Sequence, residues 1–223
     1  SDTPNIRKDY TVTEKADGLR KLLYINNDGK IYLIDTNMNV QFTGAITKNV
    51  DTYNTILDGE HILHNKKNEF INYYMAFDIY FLNKKDIRNL SLLPFIEKDK
   101  PRSDSRYELL RYCINNLKLE EFNSKTQPFV VKFKTFHMSN NGQSIFSACN
   151  NILQQQDEDL FPYETDGLIF TPAYESAPSE TFKTTWFKSF KWKPPKFNTI
   201  DFLVTINKTN LKEDDIGNMF SSG

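Results

Sequence analysis

The chain has 223 residues, room for one large or two small domains, and 39% hydrophobic with 14% aromatic residues can fill a packed core, which excludes an intrinsically disordered chain. Twenty-eight basic against 29 acidic residues leave a formal charge of −1, so any attraction to a polyanion must come from local clusters and not from a global field. No apolar run approaches the ~20 residues of a bilayer-spanning helix, the stretch 73–82 being broken by Asp78, so no membrane partner is expected. Cys113 and Cys149 are too few for a disulfide framework and too far apart for a CxxC metal pair; they read as buried thiols of a reducing compartment.

In chain order, the first feature is the run Glu14-Lys15-Ala16-Asp17-Gly18-Leu19-Arg20. Strands are predicted over 22–25 and 31–35, joined at Asn26-Asn27-Asp28-Gly29, where Asp-Gly supplies the positive φ of a tight hairpin. A further strand is predicted to end in a turn at Asp58-Gly59, and residues 73–82, rich in aromatic and β-branched side chains, read as a buried strand. Over 105–117, Tyr107, Leu110, Ile114 and Leu117 recur at helical spacing behind Asp104 or Ser105 as cap. Residues 119–128 read as loop, 129–136 as strand, 144–155 as a second helix and 155–163 as an acidic loop closed by Pro162. Strands at 168–171, 186–192 and 200–206 complete the set. Strands with a few inserted helices predict an α+β domain of mainly antiparallel sheet whose edges frame a cleft. Residues 181–196 hold Lys183, Lys188, Lys191, Lys193 and Lys196 among Phe and Trp with no acid, the best anion-binding strip in the chain. Trp186 and Trp192 within it read as core residues.

Five motifs carry more chemistry than local structure needs. Lys15-Ala16-Asp17-Gly18-Leu19-Arg20 alone is a solvated hairpin as easily as a site. Four of the eight glycines follow Asp, however, and three of those pairs sit beside further functional groups: Asp17-Gly18 beside Lys15 and Arg20, Asp58-Gly59 beside Glu60, and Asp166-Gly167 at the mouth of a buried strand. In Tyr74-Met75-Ala76-Phe77-Asp78-Ile79-Tyr80, Phe77 can offer a ring face to a base. In Lys191-Trp192-Lys193-Pro194-Pro195, two lysines share one strand face by the period of two. His61, His64 and His137 lack zinc-like companions and are assigned no chemistry.

In this order and spacing the five motifs resemble the signature of the covalent nucleotidyltransferases, the mRNA capping guanylyltransferases and polynucleotide ligases, over about residues 10–206. Asp166-Gly167-Leu168-Ile169-Phe170-Thr171-Pro172, the tandem proline after Lys193 and Thr199-Ile200-Asp201-Phe202 look like the capping branch, most like capping enzymes of large cytoplasmic DNA viruses. The resemblance implies a nucleotidyltransferase domain with a nucleotide cleft. In it Lys15 takes GMP from GTP as a phosphoramidate, releases pyrophosphate and passes GMP to the 5′-diphosphate end of RNA. It further implies that Arg20 and Glu60 hold the ribose hydroxyls, Phe77 stacks on guanine, Lys191 and Lys193 contact the α-phosphate, and Asp166 with Glu60 binds Mg²⁺ or Mn²⁺. Asp17 and Gly18 shape the turn. Guanine is told from adenine by a donor to O6; of Lys132 and Lys134, two apart, Lys134 holds the position where capping enzymes tend to place that lysine, the ordinary alternative being a solvated strand lysine.

The expected domain spans 1–206, with 207–223 a polar tail or linker toward an OB-fold domain that is lacking, 207–223 being too short for a five-stranded barrel. These residues alone are therefore expected to bind GTP but to form lysyl-GMP poorly. The chain reads as a piece of a longer, multifunctional capping polypeptide, cytoplasmic or in a viral factory or virion. Two other readings are an ATP-dependent DNA or RNA ligase and a non-catalytic module that binds nucleotides or RNA ends.

Overall fold

The computed structural model describes residues 4–95, 104–121, 128–139, 143–178 and 186–197. Its elements are β1 (Tyr10–Ala16), β2 (Leu19–Ile25), β3 (Lys30–Ile34), β4 (Val40–Thr47), β5 (Thr55–His64), β6 (Phe70–Leu82), β7 (Lys85–Asp86), α1 (Arg106–Asn116), β8 (Leu119–Glu121), β9 (Val130–Phe133), β10 (His137–Met138), α2 (Ile145–Asp157), β11 (Thr165–Pro172) and β12 (Phe190–Trp192). They form a small sheet in the order β10-β1-β11-β12 and a large one in the order β7-β6-β5-β2-β3-β4-β8. Among the described residues every pairing is antiparallel except that of β9, which runs parallel to β6. The predicted α+β class is the observed one. These elements belong to a compact unit over 1–193; of the remainder, residues 194–197 are described and carry a 3₁₀ turn at Pro195–Phe197. The predicted strand 200–206 and the tail 207–223 lie outside the described residues. Among the described residues no helix is long and apolar enough to cross a membrane.

The alternation of the strands decides which face is packed. On the large sheet Leu23, Ile25, Ile31, Leu33 and Leu57 point one way and meet Leu110, Cys113 and Leu117 at α1, each fully buried Leu or Ile contributing about 1.5–3 kcal/mol. The Ser105 hydroxyl caps α1 by accepting from the Glu108 amide, as the sequence predicts. On the small sheet Tyr10, Val12, Leu168 and Phe170 pack against Ile145, Cys149 and Ile152 of α2. Arg106, fully buried at the start of α1, donates to Asp78 on β6 at 2.7 and 3.2 Å and to the carbonyls of Leu90 and Glu175. Asp78 is therefore a structural anchor.

Four sequence expectations are corrected here. Asp58-Gly59 is no strand end, because β5 runs through it to His64 in register with β2 on one side and β6 on the other. Residues 119–121 are a short strand that pairs with β4. The predicted strand 186–192 is confined to Phe190–Trp192, and Trp192, at the edge of the small sheet, is 43% exposed where core packing was expected. The hairpin 22–35 is as predicted, with Gly29 at φ 76°.

Candidate active site

The run Lys15 to Arg20 is a bridge between the two sheets, not a hairpin. Lys15 is the last residue but one of the small sheet's β1, Arg20 is the second of the large sheet's β2, and Asp17-Gly18 is the step between the strands. The Asp17 amide donates to the Glu164 carbonyl at 2.9 Å. A Cβ on Gly18 would lie 2.8 Å from the His61 carbonyl oxygen and 2.9 Å from Glu60 Cγ, so only glycine lets β5 bring Glu60 against the crossing.

Opposite Lys15, β11 carries one residue too many: Glu14 pairs with Leu168 but Ala16 with Thr165. This bulge turns Asp166 toward Lys15. Its Oδ1 accepts from Lys15 Nζ at 2.7 Å and its Oδ2 lies 2.6 Å from Lys193 Nζ. Burial raises the Asp166 carboxyl, but hydrogen bonds from Lys15 and Lys193 and their charges outweigh it and hold the group below the usual carboxylate range. Gly167 completes the bulge at φ 146°, where a Cβ would sit 2.0 Å from the Trp192 carbonyl oxygen; β12, with its lysines, approaches only because no side chain intervenes. Lys191 pairs across with Ile169, which pairs with Thr13, two residues before Lys15 on the same face.

Glu60 on β5 is half-buried. Burial lifts its carboxyl above the usual range against the opposing charges of Lys134, Lys15 and Lys191, so the carboxylate sits among three lysines that come from three separate parts of the chain. Arg20 faces Glu60 in strand register, yet its guanidinium is held by Asp58: Nε and one terminal nitrogen donate to the carboxylate at 3.0 and 2.6 Å. Phe77 is half-buried and occupies a bulge of its own, since Asp58 pairs with Asp78 but Gly59 with Ala76. Lys134 is 2% exposed. Its Nζ donates to the Glu14 carbonyl at 3.0 Å and lies 3.5 Å from the Glu14 carboxylate. Lys132 turns outward over the Tyr73 ring at 4.5 Å. The solvated reading of Lys134 is therefore corrected; it lines a cavity of about 250 Å³ with Glu14, Met75, Phe133, Phe161 and Tyr163.

Lys15, Asp166 and Lys193 are thus in direct contact, Glu60, Lys191 and Lys134 ring them, and Arg20 and Phe77 stand on the neighbouring strands of the large sheet. Sequence reasoning missed Glu14, Asp58, Tyr80 and Tyr163. Glu14 accepts from Thr13 at 2.7 Å and from Tyr163 at 3.0 Å, and its one signal was a charged residue in a strand otherwise destined for burial. Among the described residues no three His, Cys, Asp or Glu converge as a metal cage. Asp166 and Glu60 are instead two hard oxygen donors beside phosphate-complementary lysines, a set that fits Mg²⁺ or Mn²⁺ held jointly by one or two carboxylates and the phosphates of a substrate. The histidines stay outside: His61 is buried against Asn72 at 3.0 Å, and His64 and His137 lie on the surface.

The chain is similar to known mRNA-capping enzymes. The probable mRNA-capping enzyme of Acanthamoeba polyphaga mimivirus is 28% identical across 89% of this chain and 19% of its own length. The mRNA-capping enzyme of Danio rerio is 27% identical across 93% of this chain and 33% of its own length. That of African swine fever virus (isolate Tick/South Africa/Pretoriuskop Pr4/1996) is 27% identical across 87% and 18%. The chain thus spans between about a fifth and a third of these relatives. The family described as mRNA capping enzyme, catalytic domain, matches residues 6–195, and the chain belongs to that family.

Proposed function

We propose that this domain is an mRNA guanylyltransferase that forms lysyl-N-GMP on Lys15 and transfers GMP to the 5′-diphosphate end of RNA. The observation that carries the reading is the convergence of Lys15, Asp166 and Lys193 at the crossing between the sheets. In the first step Nζ of Lys15, having released its proton to solvent, attacks the α-phosphorus of GTP. The N–P bond forms, the bond from α-phosphorus to the bridging oxygen breaks, and pyrophosphate leaves. In the second step a terminal β-phosphate oxygen of the RNA attacks the same phosphorus, the N–P bond breaks, and the amine of Lys15 recovers a proton. Lysine is a poor nucleophile when protonated, and Lys191 and Lys193 stand beside Lys15 as phosphate-binding cations. The same lysines stabilise charge on the equatorial phosphate oxygens. Arg20 and Glu60 receive the ribose, Phe77 stacks on guanine, and Lys134 donates to O6. Asp166 with Glu60 would hold the divalent metal, which when bound draws electron density from the α-phosphate. Further capping domains in the same polypeptide are the expected partners, and a reducing compartment, cytoplasm or viral factory, suits two buried free thiols.

Nucleotide preference separates this reading from the ligase one. GTP at a hundredfold over its Kd stabilises the folded state by about 2.7 kcal/mol, a rise of roughly 5–10 °C in Tm for a domain this size. GTP is expected to give that rise and ATP none; protection by ATP alone would overturn the assignment.

A further inference from the structure

Arg20 is held more firmly than a residue at a cleft rim needs to be. Its side chain is 59% exposed, but the carboxylate that grips it belongs to Asp58, whose side chain is 1% exposed. That carboxylate accepts three hydrogen bonds: two from Arg20, at 3.0 and 2.6 Å, and one from the Tyr80 hydroxyl at 2.6 Å. Tyr80 reaches it because β6 bulges a second time. Ile56 pairs with Phe81 but Leu57 with Ile79, so Tyr80 is the unmatched residue, three positions beyond the bulge that holds Phe77. Burial, then the charges of Asp58 and Asp78, drive the Tyr80 phenol far above its ordinary range, so it stays a donor. A guanidinium has five N–H groups. Two are spent on Asp58, and the other three have no hydrogen-bond partner among the described residues.

We propose that Asp58 and Tyr80 are positioning residues that fix the Arg20 guanidinium for reading the sugar of the nucleotide, so that the choice of ribose over deoxyribose is set by a buried carboxylate that never touches the substrate. The inference rests on the reading of Arg20 as a ribose contact. Its physical basis is that a long side chain left free loses rotamer entropy on every binding event, whereas one clamped by a bidentate carboxylate presents its remaining donors already oriented. The clamp acts on nucleotide binding and not on the phosphorus, so its loss moves KM more than kcat.

The test uses the full-length protein carrying Asp58→Asn, Tyr80→Phe or Arg20→Ala, with single-turnover label transfer measured from GTP and from 2′-deoxy- and 3′-deoxy-GTP. Asp58→Asn keeps the volume and breaks the bidentate pair; it is expected to raise the GTP KM about tenfold, the equivalent of one charge-assisted hydrogen bond, with kcat changed less than about threefold. Preference for the ribonucleotide over at least one deoxy analogue is expected to fall in parallel. Tyr80→Phe, which leaves the carboxylate in place, shifts the same quantities by about threefold and keeps the proposal testable if the Asn variant does not fold. If Arg20→Ala destroys the sugar preference while folded Asp58→Asn and Tyr80→Phe retain it, the clamp is wrong and the ribose reading stands. If Arg20→Ala itself leaves the preference intact, the ribose reading fails first and the clamp with it.

Discussion

Asp166 accepts from two ammonium groups at once and is the residue on which the site turns. Asp166→Asn keeps the shape but loses the charge that draws Lys15 and Lys193 together, and label transfer from GTP is expected to fall roughly 100-fold. The same carboxyl contributes to stability. Its folded pKa lies below the usual value because the two lysines outweigh burial, so the unfolded chain binds the extra proton. The contribution is complete above the unfolded value of about 3.9 and is lost as pH falls through the lower folded value. Acid denaturation followed by circular dichroism should therefore be shallower below about pH 4 for Asp166→Asn than for the unsubstituted protein; parallel curves would show that the two ion pairs do not add to stability.

At the scale of elements, the site is made by irregularities in otherwise regular strands. The bulge in β11 aims Asp166, and the two in β6 aim Phe77 and Tyr80. Gly167→Ala tests the first: with φ at 146° and a new Cβ 2.0 Å from the Trp192 carbonyl, β12 must move. A loss of about 2–3 kcal/mol is expected, read as a fall of roughly 5–10 °C in Tm, together with weaker GTP binding because Lys191 and Lys193 travel with β12. Unchanged Tm and GTP affinity would mean that the contact is not tight in solution. Arg106→Met leaves Asp78 buried with the Ile79 amide but without an opposite charge and is expected to cost about 3–5 kcal/mol by chemical denaturation, whereas a loss below 1 kcal/mol would show that Asp78 is readily neutralised.

How far this was legible in the sequence follows from the same irregularities. Helices α1 and α2, the hairpin at Gly29 and the α+β class follow from periodicity, caps and Asp-Gly pairs. Lys15, Asp166 and Lys193 were found because the motifs that hold them resemble, in order and spacing, those of the covalent nucleotidyltransferases. Bulges leave no sequence period, so nothing marked Tyr80, and Asp58-Gly59 read as a turn because Asp-Gly favours turns when no neighbouring strand passes close by. Arg20 was matched with Glu60 by motif, and the backbone register agrees; only side-chain geometry shows Asp58 as its partner.

For the whole molecule, the Lys15-to-Arg20 run carries the chain from the small sheet to the large one, so the proposed nucleophile, Lys15, and the strand that carries Arg20 belong to different layers joined by two residues. A chemical step placed at that junction is sensitive to how the layers are held, and neither layer alone contains the site. The central claim is that Lys15 becomes covalently attached to GMP. Full-length protein incubated with α-labelled GTP and Mg²⁺, denatured and digested under alkaline conditions that spare a phosphoramidate, should carry acid-labile label on the peptide containing Lys15. Lys15→Ala should carry none. Label retained in Lys15→Ala, or mapped to another peptide, would contradict the account.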